Sequence, residues 1–149
     1  MRLDAAAEFE RCRRHLEQTV VEAGGVEGEW SGRVARGIAA ALELASADPA
    51  AALVVTDRAL TRWKRREPPF ASLVERLATL LEAGAPPRNP RLPSAQAIVV
   101  LIAKQVNLRI ESGRAGELPA IAPDLTFLAL FPCLGYTEAR RRAQPTAIA

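Results

Sequence analysis

Apolar positions in this chain recur at three- and four-residue steps from one end to the other, the period of an α-helix rather than a strand. Phe9, Cys12, Leu16 and Val20 form the first stripe, which Asp4 opens as an N-cap and Gly24-Gly25 stops. A second stripe follows Trp30, through Val34, Ile38, Ala41, Leu42 and Ala45, and ends before Asp48-Pro49. That pair is punctuation: Asp48 can cap a third helix, and Pro49 suits its first position, where no backbone N–H is needed. The third helix carries Leu53, Val54, Leu60 and Trp63. It closes in Lys64-Arg65-Arg66 before Pro68-Pro69, cations that suit the negative end of a helix dipole. The sharpest stripe is Phe70, Leu73, Val74, Leu77, Leu80 and Leu81, with Gly84 placed to end it. Residues 85–93 hold four prolines and predict an exposed, semi-rigid connection.

Ser94 then caps a helix running to about Ser112 whose apolar positions fall on two separate faces. One face is Val99, Ile102, Ala103, Val106 and Ile110. The other is Ala97, Ile98, Leu101 and Leu108, with Gln105 set among them. Gln96, Lys104, Asn107 and Glu111 form the strip expected to meet solvent. After a link over 113–119 comes a helix opening near Pro123-Asp124, in which Thr126 is almost the only polar side chain among Leu125, Phe127, Leu128, Ala129, Leu130, Phe131 and Leu134. Pro132 should bend or end it and Gly135 close it, before a short basic helix through Arg140, Arg141 and Arg142. The pattern predicts an all-α bundle of about six to seven helices. A helix apolar all round must be covered all round, and a small domain has little surface to spare for that. The economical cover is a second copy, so the chain is expected to form a homodimer through its last two long helices. Ile98, Leu101, Gln105, Leu108, Leu128 and Phe131 are the candidate seam residues.

The chain has 149 residues, a length that fits one domain, and its abundant Ala, Leu, Arg and Glu reinforce the helical reading. Its formal charge of +3 is small, and the two signs are interleaved, so nucleic-acid binding is not indicated by charge. Arg11/Arg13/Arg14, Arg62/Lys64/Arg65/Arg66 and Arg140/Arg141/Arg142 read as solvated helix faces and ends. Charges enter from Arg2 onward with no apolar leader, and the longest apolar stretches, near 97–103 and 125–134, are shorter than a bilayer needs. No membrane partner is expected, and a reducing cytoplasm is the default compartment.

Catalytic and metal chemistry find little to work with. His15 is the only histidine, and it lacks a Cys, His or acidic neighbour at ligand spacing, so no metal or other cofactor is predicted. No nucleophile sits beside a base and an orienting group, so an enzyme is not expected. Cys12 and Cys133 read as small core residues rather than reactive thiols.

Several local strings, in this order, resemble the C-terminal ligand-binding and dimerisation domain of TetR-family (tetracycline-repressor-like) transcriptional regulators. They are Trp30 followed by Arg33-Val34 and the Ile38/Leu42 stripe; Ala47-Asp48-Pro49-Ala50; Ile110-Glu111-Ser112-Gly113-Arg114; and Leu118-Pro119 with Ala122-Pro123-Asp124-Leu125, leading to Pro132-Cys133-Leu134-Gly135. The likeness spans almost the whole chain. It implies an apolar pocket for a small-molecule effector enclosed by the earlier helices, a dimer seam on the last two long ones, and ligand binding that shifts DNA affinity by population shift. The helix-turn-helix head that opens such regulators has no counterpart here, so any DNA contact is expected only through a head that this chain lacks. Phe9, Cys12, Trp63, Phe70 and Gln105 are the candidate pocket residues. The large side chains among them read more readily as plain core, and Gln105 more readily as a hydrogen-bonding group at the seam. The alternative function is a stand-alone helical interaction module that does not bind DNA.

Overall fold

A computed structural model of the chain describes residues 5–25, 28–63 and 70–144, and within them all side chains except those of residues 5, 6, 58, 59, 61–63 and 70–72. Among the described residues seven α-helices follow in order: α1 Ala5–Gly24, α2 Trp30–Ala47, α3 Pro49–Trp63, α4 Phe70–Glu82, α5 Ala95–Glu111, α6 Ala122–Leu134 and α7 Tyr136–Ala143. A 3-10 helix, Ala115–Ile121, precedes α6, and no strand occurs among the described residues. The expected all-helical class holds. Asp4 and the basic run with its prolines over 64–69 lie outside the described residues.

Helix starts follow the side-chain chemistry. The Asp48 carboxylate accepts from the Ala51 backbone N–H at 3.2 Å, with Pro49 as the first residue of α3. The Ser94 hydroxyl accepts from the Ala97 N–H at 3.2 Å at the head of α5. Two endings differ from expectation. The link over 113–119 is coiled into the 3-10 helix, because Leu118 is fully buried and draws the segment inward. One apolar anchor gives no periodicity to read. Pro132 does not end α6, which runs on to Leu134 and closes at Gly135, where φ is +79°. Pro132 sits in the last turn, where its missing N–H removes only one helical bond. Its carbonyl accepts from the Asn89 N–H at 2.8 Å, tying down the proline-rich loop.

α2 is central, packing on α1, α3, α6, α7 and the 3-10 helix, while α5 bridges α3 and α4 to α6. The α1–α2 crossing is close because Gly37 faces Val20: a Cβ there would stand 3.3 Å from Val20 Cγ1. Arg36 donates to the Ala23 and Gly24 carbonyls at 3.2 and 2.8 Å and so satisfies the end of α1. Arg142 pairs with Glu29 and Glu138 and donates to Ser31 Oγ at 3.1 Å, fastening α7 to the start of α2.

One core joins Trp30, Val34, Ile98, Ala129 and Leu130; a second joins Phe9, Val55, Leu73 and Val74; a third joins Leu42, Val106, Leu118 and Leu125. Arg13 departs from its expected place on a solvated face. It is only 6% exposed and lies between Glu10 and Glu17, while Arg76 Nε reaches Glu17 at 2.8 Å and links α1 to α4. The Arg13 hydrogen bond holds the Glu10 carboxyl below its ordinary pKa. The segment Ala115–Leu134, longer than either apolar stretch read from the sequence, is long and apolar enough by composition to span a bilayer. Only 33% of its most apolar window is buried within the chain.

Candidate functional site

Five helices leave space between them. α1 to α4, one face of α5 and Ala129 of α6 line an open-sided cavity of about 550 Å³, within the range typical of small-molecule sites. Its shape follows from side-chain size: α2 presents Gly37, Ala41 and Ala45 to it, and α3 presents Ala51 and Ala52, where larger residues would have closed the gap. Val99, Ile102, Ala103 and Val106, one of the two apolar faces read from α5, form the opposite wall. The wall follows α1 from Arg11 to Gly24, about 20 Å at 1.5 Å rise per residue.

Few polar groups meet this space. The charged side chains along it are Arg11, Arg33 and Asp48, joined by the His15 imidazole, so Asp48 is its one acidic wall residue among those described. Arg11, His15 and Asp48 are exposed and sit at the rim. Thr56 is buried in the wall, donating to the Ala52 carbonyl at 2.9 Å and accepting from Asn107 Nδ2 at 3.0 Å. Asn107 was assigned to the solvated strip of α5. It is instead half-buried, because α3 packs on that side. Periodicity alone cannot separate a solvent strip from one facing a neighbour with a matching polar group.

The candidate pocket residues divide. Cys12 lines the cavity, half-buried, and burial pushes its thiol above the ordinary range, against the pull of Arg11. Phe9 does not line it: fully buried among Val55, Leu73 and Val74, it belongs to the core behind the wall. Gln105 does not line it either, since it shares the outer stripe of α5 with Leu101 and Leu108. The side chains of Trp63 and Phe70 lie outside the described residues. Trp30, not among the candidates, does line the cavity, and its indole N–H donates to the Leu81 carbonyl at 2.7 Å.

The candidate seam residues divide as well. Ile98 is 2% exposed, packed against Trp30, Val34, Ala129 and Leu130, which removes it from any outer surface. The two-faced reading of α5 put it outward, but α2 and α6 cover that position. Leu101 and Leu108 are 36% and 57% exposed, with half-buried Gln105 between them. On α6, Leu128 and Phe131 are half-buried beside Phe127 and Leu134. The Phe127 ring lies 5.5 Å from both Phe131 and Tyr136, and Tyr136 is itself 56% exposed.

Among the described residues, no three His, Cys, Asp or Glu side chains gather in a way that could hold a metal ion. In comparison with known proteins, no family model, no curated protein and no solved structure matches this chain.

Proposed function

We propose that this chain is the effector-sensing and dimerisation domain of a TetR-like transcriptional regulator, binding a small apolar or amphipathic molecule without chemical conversion. The cavity of about 550 Å³ carries this reading: it is walled by aliphatic side chains, with few polar groups to fix an orientation, as small-molecule sites are. The two-faced α5 supports the same architecture, turning Val99, Ile102, Ala103 and Val106 to the cavity and Leu101 and Leu108 outward. The outward residues, with the Phe127, Phe131 and Leu134 stripe on α6, leave an apolar surface that a second copy would bury by two-fold packing. Helices shared by cavity and seam give a ligand its route to the partner: a change in the spacing of α5 alters how two copies sit, and with them two DNA-binding heads.

Two measurements test the proposal. Nile red, a neutral apolar fluorophore, should bind the wild-type chain saturably at one per copy. Ala41→Phe, which fills the cavity from α2, should lose that binding while retaining the helical circular dichroism spectrum. Saturable binding that Ala41→Phe leaves unchanged would remove the cavity from the account. By light scattering, the wild type should weigh twice the chain mass and Leu108→Glu should weigh one chain, since a charge there would be buried against the partner. A wild type that stays monomeric across micromolar concentrations would refute the dimer.

A further inference from the structure

We infer that the cavity takes an apolar acid, with the carboxylate on Arg33 and the hydrocarbon along α1; this rests on the reading of the cavity as a ligand site and narrows it. Arg33 lines the end of the cavity where α1 and α4 terminate, beside Trp30, Leu80 and Leu81. Its Nη2 donates to the Ala83 carbonyl at 3.3 Å, a long bond, and its Nε is buried with no hydrogen-bond partner. No carboxylate among the described residues lies within ion-pair distance of it. A cation on an apolar wall with no carboxylate beside it is poorly compensated, so the site gains from an occupant that brings a negative charge.

The position of the guanidinium is set by backbone rather than by a counter-ion. The Ala83 carbonyl holds it at the end of α4, and Gly84 leaves it room, since a Cβ there would come within 2.6 Å of Nη2. A guanidinium bonded to a single carbonyl keeps further N–H groups with which a carboxylate can form a charge-assisted pair. The indole N–H of Trp30 is committed to the Leu81 carbonyl at 2.7 Å, so it does not compete for the ligand. The acidic wall residue Asp48 borders Cys12, towards the other end of α1, and would repel an anion there. A hydrocarbon without a carboxylate leaves the Arg33 cation without a counter-charge. A small anion without hydrocarbon leaves the aliphatic walls uncovered.

Isothermal titration of the full chain with decanoate and with decanol separates these contributions, because the two share a chain and differ in the head group. The wild type should bind decanoate about tenfold to hundredfold more tightly than decanol, as expected for charge-assisted hydrogen bonds. Arg33→Met should bind the two alike, with its decanol affinity equal to that of the wild type. A purely structural role for Arg33 at the end of α4 would instead weaken both ligands together. Equal wild-type affinity for acid and alcohol would overturn the assignment of Arg33 while leaving the cavity as a ligand site. Binding of neither would overturn both readings. Where Arg33→Met does not fold, equal wild-type affinity for acid and alcohol still overturns the assignment.

Discussion

Around Leu130 the space between helices is filled, whereas between α1 and α5 it is not. In the first region Trp30, Ile98 and Leu130 interlock over Ala129, with Phe127, Phe131 and Leu134 packed against them. In the second, a cavity of about 550 Å³ remains among α1 to α5. The same helix, α2, serves both: Trp30 and Val34 join the filled core and also face the cavity, which Gly37, Ala41 and Ala45 border further along. The void therefore arises from the sizes of particular side chains and not from a missing element. Interiors pack to uniform density by default, so a gap lined by small residues is written into the sequence.

Truncation should expose the largest difference between these regions. Leu130→Ala removes a fully buried side chain from the filled core and should lower unfolding free energy by about 2–5 kcal/mol, read from urea denaturation. Leu77→Ala, half-buried at the cavity wall, should cost less than half as much, since the atoms removed already face empty space on one side. Equal losses at the two sites would mean that the region around α1 is as tightly packed as the core of α6.

A smaller effect is expected where the cavity meets the end of α4. Gly84 adopts φ of +75°, and a Cβ there would meet the Arg33 guanidinium at 2.6 Å. Gly84→Ala should therefore cost about 1–2 kcal/mol for the left-handed conformation, and it should also displace Arg33. If the melting temperature falls but the decanoate preference over decanol persists, the glycine serves the turn alone and does not position the cation.

Much of this architecture was legible in the sequence because helical period, caps and breakers are local. Asp48-Pro49, Ser94 and the stripe from Leu73 to Leu81 each act over a few residues, and each stands where the pattern put it. The site was legible only in part. Of the two candidates on the first stripe, Cys12 borders the cavity and Phe9 lies behind its wall, because a one-turn offset on one helix decides between core and cavity. Small residues carried the missing signal: Gly37, Ala41, Ala45, Ala51 and Ala52 make the gap, yet in sequence they read as ordinary helix filling. Arg33 was invisible for a related reason. A cation beside its own helix stripe reads as surface until the end of α4 is known to stand over it.

The two cysteines offer the finest probe of the contrast, since each region holds one. Cys12 borders the cavity, Cys133 sits beside the filled core near the end of α6, and both thiols are free and half-buried. Burial raises both pKa values; Arg11 opposes the rise at Cys12, and Arg88 opposes it at Cys133. The thiolate is the reactive form, so at about pH 8 both should alkylate more slowly in the folded chain than after unfolding, and both should accelerate as pH rises. The linkage has the matching sign. The folded thiols keep their protons to higher pH than the unfolded ones, so their contribution is present below the unfolded pKa and is lost as pH rises through the folded values. Saturating Nile red should then slow iodoacetamide labelling of Cys12 severalfold and leave Cys133 unchanged, as read by mass spectrometry of the labelled peptides. Equal protection of both would point to global stabilisation by a ligand bound elsewhere, because only occupancy of the cavity distinguishes the wall that holds Cys12 from the packed surface beside Cys133.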